Sequence, residues 1–206
     1  QSIYYSFHEV KGFAASKFIG IENYIRLFQD TEVWISLKNV FIYALITVPI
    51  GVAISLLLAV LLNVKIRGKS FFRCIYFLPV VSAPAAVALV WKWLYNNDFG
   101  LFNQILSLFG IQGPDWLGNP DMAMISVAIV GIWSMVGYNM ILLLAGLQDI
   151  PGELYEASEI DGAGPFQKFI KITVPMVSPT LFFVIVTTII SALQVFDVIF
   201  MMFKPS

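Results

Sequence analysis

Residues 41–62 read FIYALITVPIGVAISLLLAVLL, a run without a single charged side chain. A helix rises 1.5 Å per residue, so crossing about 30 Å of hydrocarbon takes roughly 20 residues. The run therefore predicts a membrane-spanning helix. Working outward from it, we find three more apolar segments of that length, at residues 71–94, 122–147 and 176–203. Four such segments separated by polar connections disfavour a soluble protein with buried helices.

The composition agrees with lipid as the surrounding medium. Hydrophobic residues make up 59% and charged residues 12% of the 206 residues, whereas soluble domains average about 45–50% and about 25%. We therefore predict an all-α fold, a polytopic transmembrane helical bundle forming one domain over residues 1–206. Because the chain begins and ends in or beside apolar runs, we also expect one further span beyond each end.

Several function classes are excluded by residue counts. Cys74 is the only cysteine and His8 the only histidine, so neither a disulfide nor a cysteine metal cluster can form among these residues. A lone histidine near the start of the sequence is usually solvated, which disfavours a histidine-based catalytic triad. We expect no catalytic residue and no metal site. Without a basic tract, nucleic acid is not an expected partner.

Charge predicts the orientation of the spans. Four basic residues and no acid lie around the first connection: Lys65, Arg67 and Lys69 between the first two segments, and Arg73 near the start of the second. Three acids and no base lie between the second and third: Asp98, Asp115 and Asp121. Basic connections stay in the cytoplasm, so the first connection is predicted inside and the second outside. Parity then places residues 149–171 in the cytoplasm.

Smaller elements are predicted at residues 22–28 and 101–109, where apolar residues recur at helical spacing and fit short interfacial helices. Pro79 and Pro84 interrupt the second apolar segment. Two interpretations of such breakers stay open at this point. They bend a helix around a wet cavity, or they serve ordinary packing, as do glycines such as Gly131 and Gly137.

The connection after the third segment, residues 148–175, has an unusual charge. It carries five acids against two bases in residues 149–171, and its first helix has apolar residues at helical spacing. An anionic leaflet repels such a helix. A partner protein with a basic groove would satisfy both features; the alternative is that the connection folds against its own bundle.

This connection resembles the EAA loop of inner-membrane permeases of binding-protein-dependent ABC importers. The resemblance rests on Glu156-Ala157-Ser158, Asp161-Gly162-Ala163 and residues 172–175, with Ser158 and Val174 departing from the usual alanine and leucine. Further segments are similar to the maltose-type sugar permeases: GIENY at 20–24, LQDIP at 147–151 and Phe196-Asp197.

The resemblance implies the fold of a type I importer permease and several partners. A cytoplasmic ABC ATPase dimer would bind the ATP and magnesium, since this chain has no Gly-rich ATP-binding loop and needs no cofactor. A second, related permease subunit, an extracellular or periplasmic solute-binding protein and membrane lipid would complete the system in a prokaryotic inner or plasma membrane. The residues implied in ATPase coupling are Glu156, Ala157, Ser158, Asp161, Gly162, Ala163 and Pro175.

Polar groups at bilayer depth are costly and therefore mark cavities. Six of them are our candidates for a substrate path: Trp133, Tyr138, Asn139, Ser191, Gln194 and Asp197. The last three are spaced by three residues and are predicted to share one helix face. Hydroxyl, amide and aromatic groups suit a sugar. Serines and threonines at such depth also pack helices or bond their own carbonyls.

Two alternatives to a sugar importer remain. The first is the same machine with a polyol, glycerol phosphate, amino acid or polyamine as cargo. A phosphate would favour basic residues in the spans, where only Lys92 is present apart from Arg73 at the start of the second segment. The second is an ion-coupled carrier, which would need charges at mid-membrane and internal repeats.

Overall fold

A computed structural model describes residues 1–9, 17–63 and 69–203, with the side chains of Lys69 and Ser70 left out. Nearly all of its regular structure is helical. The elements in chain order are α1 (Ser2–Ser6), β1 (His8–Glu9), β2 (Lys17–Phe18), α2 (Glu22–Gln29), α3 (Thr31–Asn63), α4 (Lys69–Val81), α5 (Pro84–Leu94), α6 (Leu101–Leu108), α7 (Pro120–Gln148), α8 (Gly152–Ile160), α9 (Pro165–Lys168), a π-helical turn (Phe169–Thr173), α10 (Val174–Leu193) and α11 (Asp197–Phe203).

The chain divides into two compact units, residues 1–42 and 43–206. In the first unit, β1 and β2 pair antiparallel. The Asn23 side chain on α2 donates hydrogen bonds to the carbonyls of Ser6 (3.0 Å) and His8 (3.1 Å), and the Tyr24 hydroxyl donates one to the Ser6 hydroxyl (2.7 Å). The GIENY segment thus ties α2 to the start of the chain, and the helix predicted at 22–28 is confirmed.

The helices predicted at 41–62 and 122–147 are confirmed as parts of longer helices. By length and composition, α3, α7 and the run from Pro165 to Phe203 can each cross a bilayer. Helix α3 starts ten residues before its apolar run, because the Asp30 carboxylate accepts a hydrogen bond from the Glu32 amide (2.9 Å) and caps the first turn.

The second apolar segment, predicted at 71–94, is not one straight helix. It consists of α4 and α5, which meet at 102°. Ala83 is extended, as residues before a proline usually are, and Pro84 starts α5. Pro84 therefore marks a real break, whereas Pro79 lies inside α4. The two halves count as a fourth span only if together they cross the bilayer.

The fourth span also differs from its prediction. Pro175 was expected to close the connection before this span, but it lies inside a continuous helical run. Since a proline cannot bond the carbonyl four residues back, the π-helical turn at Phe169–Thr173 accommodates the lost bond just before it. The run is then interrupted at residues 194–196, between α10 and α11.

Helix α7 forms the centre of the second unit. Met140 and Leu143 are fully buried in the main apolar cluster together with Val184 of α10. A Cβ at Gly137 would collide with the Tyr76 carbonyl oxygen of α4, so glycine is required for this close approach of two backbones. At Gly137 the structure favours the packing interpretation of the glycines.

The connection between α5 and α7 contains the predicted helix at 101–109, which is α6. Its Phe102 joins a group of four rings whose neighbouring centroids lie 5.3–5.9 Å apart: Trp91, Tyr95, Phe102 and Trp116. The Trp116 indole donates to the Asn103 side chain (2.7 Å), and the buried Tyr95 hydroxyl donates to the Ser126 carbonyl (3.0 Å). These bonds hold the connection against the start of α7.

Candidate functional site

A cavity of about 300 Å³ lies among α3, α7, α10 and the start of α11. Its lining combines apolar side chains with hydroxyl and amide groups: Tyr43, Ser134, Tyr138, Asn139, Thr187, Thr188 and Ser191. None of the described residues that line it is charged. The cavity is thus large enough for a small solute and offers neutral hydrogen-bonding groups.

Two buried residues join the helices on either side of the cavity. The Asn139 amide of α7 donates to the Thr188 hydroxyl of α10 (3.0 Å), and that hydroxyl donates to the Val184 carbonyl (2.6 Å). Because Asn139 and Thr188 are only 3% and 4% exposed, this bond fixes the position of the Asn139 side chain at the cavity wall.

Apart from Tyr43, the remaining polar side chains of the lining fall into two groups. The hydroxyls of Ser134 and Thr187 donate to carbonyls of their own helices, at 2.8 and 2.9 Å. The hydroxyls of Tyr138 and Ser191, in contrast, make no hydrogen bond with any described residue. These two, with the Asn139 amide oxygen, are therefore available to a solute.

Of the six candidate path residues, Tyr138, Asn139 and Ser191 line the cavity, whereas Trp133, Gln194 and Asp197 do not. The Trp133 ring lies edge-on to Trp91, with centroids 5.5 Å apart. The shared helix face predicted for Ser191, Gln194 and Asp197 is wrong. Helix α10 ends at Leu193, Gln194 follows its last turn, and Asp197 starts α11.

Sequence reasoning missed Tyr43, which lines the cavity from α3. The signal was present, because Tyr43 is the only tyrosine in the charge-free run at 41–62. A phenol at bilayer depth satisfies the same criterion that selected Tyr138.

The second candidate site is the acidic segment, residues 152–171, which follows α7. Helix α8 ends where Gly162 adopts φ +76°. The Gly162 amide donates to the Glu159 carbonyl (3.0 Å) and the Ala163 amide to the Ser158 carbonyl (2.9 Å). These two bonds form a Schellman motif, which requires a left-handed residue at the position of Gly162.

Two side-chain contacts fold the acidic segment back on its own chain. The Tyr155 and Thr173 hydroxyls are hydrogen-bonded at 3.0 Å. Across the Gly162 turn, the Lys168 ammonium donates to the Glu159 carboxylate (2.6 Å), and this hydrogen bond lowers the pKa of Glu159. One of the four acids of the acidic segment is therefore paired with a lysine of the same segment, and the other three carboxylates are not paired in this way with any described residue.

The implied coupling residues occupy several environments. Glu156, Ala157, Asp161 and Gly162 are exposed, Ser158 and Ala163 are half-buried, and Pro175 is exposed on the following helix. Large apolar side chains of the acidic segment are also exposed, with Ile160 88% and Phe166 74% accessible. Acidic and apolar groups thus stand side by side on a surface that the chain does not cover.

Long apolar helices around a cavity with neutral polar walls, and an exposed acidic segment after α7, define a multi-pass membrane protein that can accommodate a solute. Residues 37–206 match the family described as binding-protein-dependent transport system inner membrane component. The chain belongs to this family.

Among its relatives is the trehalose/maltose transport system permease protein of Thermococcus litoralis, 36% identical over 185 residues, which cover 90% of this chain and 63% of the relative. A bacterial ABC transporter that imports the acidic polysaccharide alginate is similar in structure. Its TM-score is 0.78 at 26% identity, covering 86% of this chain and 63% of that chain.

The alginate transporter in complex with a pentasaccharide-bound periplasmic protein matches with a TM-score of 0.72 at 26% identity, over 79% of this chain and 57% of that chain. This chain therefore spans less than two thirds of the length of each of these three proteins.

Proposed function

We propose that this chain is the membrane-spanning permease subunit of an ATP-driven importer in a prokaryotic inner or plasma membrane, and that its cargo is a neutral sugar or oligosaccharide. The observation that carries the proposal is the cavity among α3, α7 and α10, with its neutral hydroxyl and amide walls, in a chain of this transport family.

The chemistry of the cavity wall supports a neutral cargo. A sugar exchanges its hydration for hydrogen bonds to hydroxyl and amide groups, which Tyr138, Asn139 and Ser191 offer, and stacks on aromatic rings. An anion such as a phosphate or uronate needs a cationic partner when desolvated. The described lining supplies no cationic side chain. We therefore do not propose for this chain the acidic cargo of the alginate transporter.

The acidic segment is proposed as the coupling element to an ATPase dimer, on which ATP and magnesium would bind. Glu156 and Asp161 are exposed beside Ala157 and Ile160. A basic groove with an apolar floor is complementary to this surface. Pro175 lies on α10, the helix that also lines the cavity, so a displacement of the segment would reach the cavity through one continuous helical run.

The other proposed partners follow from the transport system. A solute-binding protein outside the membrane would deliver the sugar, as the complex of the related alginate transporter suggests. A second, related permease subunit would complete the path, and lipid would surround both. Many large apolar side chains of α10 are exposed, including Phe182 at 70% and Phe183 at 53%, and they suit lipid or that subunit.

Glu156→Lys tests the coupling role. The change reverses a charge that faces a basic groove in the proposal, and a like-charge contact at an interface costs several kcal/mol. We expect the affinity of the ATPase for the permease to fall at least about tenfold. ATP-dependent sugar uptake in vesicles should be lost. The measurement is co-purification of the ATPase with each variant, beside uptake by the assembled transporter.

Asp98→Lys is the matched control, because it makes the same charge reversal on the exposed connection between α5 and α6. It should leave ATPase co-purification at the wild-type level. If Glu156→Lys retained both ATPase binding and transport, the acidic segment would not be the coupling element.

A further inference from the structure

Tyr43 combines burial with an unused hydrogen-bonding group. Its side chain is only 5% exposed, it lines the cavity, and its hydroxyl makes no hydrogen bond with any residue in the described ranges. Among the described residues, the Tyr43 hydroxyl oxygen is not one of the fully buried atoms that lack a partner, so it opens onto the cavity that the residue lines. A molecule within the cavity can therefore reach this hydroxyl and supply its hydrogen bond.

The Tyr43 hydroxyl lies against Gly131 of the neighbouring helix. Gly131 of α7 also lines the cavity, and a Cβ at this glycine would collide with the Tyr43 hydroxyl oxygen. The glycine thus leaves the space that the hydroxyl occupies. The other buried hydroxyl of the wall, Thr188, donates to the Val184 carbonyl instead, so it has no proton left to donate.

We propose that the Tyr43 hydroxyl is a cargo-binding and specificity-determining group, which hydrogen-bonds a sugar hydroxyl as the sugar passes through the cavity. This inference rests on the proposed function of the cavity. It adds to the cavity wall a hydrogen-bonding group from α3, whereas Tyr138 and Asn139 belong to α7. A phenol both donates and accepts, so it can bind a hydroxyl of either orientation.

Tyr43→Phe is a clean test, because it removes one oxygen and breaks no hydrogen bond to the described chain. The complete transporter with its binding protein is reconstituted in vesicles and supplied with radiolabelled maltose, trehalose, lactose or raffinose. We expect uptake of the best-transported sugar to fall roughly two- to tenfold, the effect of one neutral hydrogen bond. The loss should differ among the sugars, because their hydroxyls are arranged differently.

Tyr76→Phe is the matched control. Tyr76 is a half-buried tyrosine of α4 that does not line the cavity, so its variant should transport all four sugars at the wild-type rate. A second comparison uses Gly131→Ala. This change should reduce uptake in the wild type by displacing the Tyr43 hydroxyl, and should have a smaller effect in the Tyr43→Phe background, where that oxygen is gone.

The outcomes separate the two proposals. If the wild type takes up none of the four sugars, the proposed function fails and the role of Tyr43 fails with it. If the wild type transports, two outcomes overturn only the role of Tyr43. In the first, Tyr43→Phe transports every sugar at the wild-type rate. In the second, it loses uptake of all four sugars by the same factor, since a uniform loss indicates a structural residue.

Discussion

At the scale of single residues, position 162 favours glycine because of its backbone conformation and not because of close packing. A Cβ there would meet nothing within 4 Å in the described chain, but φ is +76°. The EAA resemblance identified Gly162 from its sequence neighbours and implied a role in ATPase coupling. The geometry adds a second reason, the Schellman motif that ends α8, which no pattern of hydrophobicity could reveal.

Gly162→Val should therefore loosen the end of α8 even without a partner. A β-branched residue in the left-handed region costs roughly 1–2 kcal/mol, so amide protection at residues 159–163 should fall by about tenfold in hydrogen exchange. Gly162→Asn, which tolerates this backbone, should retain most of the protection. Equal protection in the valine and asparagine variants would contradict the backbone argument.

The residue scale also shows where sequence reasoning stops. Tyr138, Asn139 and Ser191 were identified because polar groups are rare at bilayer depth, and they do meet at one cavity. Gln194 and Asp197 were grouped with Ser191 on the assumption of a continuous helix. The interruption at residues 194–196 contains neither glycine nor proline, so the local sequence does not predict it.

At the scale of elements, the apolar runs at 41–62 and 122–147 predicted helices correctly because a run that is long and apolar enough to cross a bilayer must satisfy its backbone hydrogen bonds internally, as a helix does. The bend between α4 and α5 could not be predicted in the same way. Pro79 lies inside α4, whereas Pro84 starts a new helix. Two prolines in similar apolar surroundings thus have opposite effects, and only the surrounding packing distinguishes them.

The acidic segment contains a pH-sensitive contact between two elements. Lys168 lowers the pKa of Glu159 below its ordinary value, so the folded segment holds the carboxylate form more strongly than an unfolded one. The stabilisation is fully present above the ordinary pKa of a glutamate. It is lost as the pH falls through the lowered pKa of the folded state.

Hydrogen exchange of residues 152–163 as a function of pH measures this contact. Protection, corrected for intrinsic exchange, should decrease as the pH falls through the acidic range. Lys168→Met should be less protected at neutral pH and should lose this pH dependence, whereas Lys171→Met, at an exposed neighbouring lysine, should behave as wild type. A pH dependence that survived in Lys168→Met would mean that another carboxyl controls the segment.

At the scale of the whole molecule, the sides of the membrane are set by charge and parity. Of the basic connection, residues 64–68 lie outside the described residues, whereas Lys69 and Arg73 belong to α4. Its predicted cytoplasmic position rests on the sequence alone. The long helix α7 separates residue 98 from residue 153 whichever way the chain is oriented. Whether residue 68 and residue 98 lie on opposite sides depends on the bent pair α4 and α5, which either crosses the bilayer or returns to the side from which it entered.

Three single cysteines in a Cys74→Ala background decide the topology: Gly68→Cys, Asp98→Cys and Glu153→Cys. If α4 and α5 together form a span and basic residues stay inside, an impermeant thiol reagent should label only Asp98→Cys in intact cells. The other two should react only after permeabilisation, which also controls for their reactivity. Labelling of Gly68→Cys together with Asp98→Cys would show that the bent pair is re-entrant. Labelling of Glu153→Cys from outside would place the acidic segment away from ATP, and the proposed coupling to an ATPase would then be untenable.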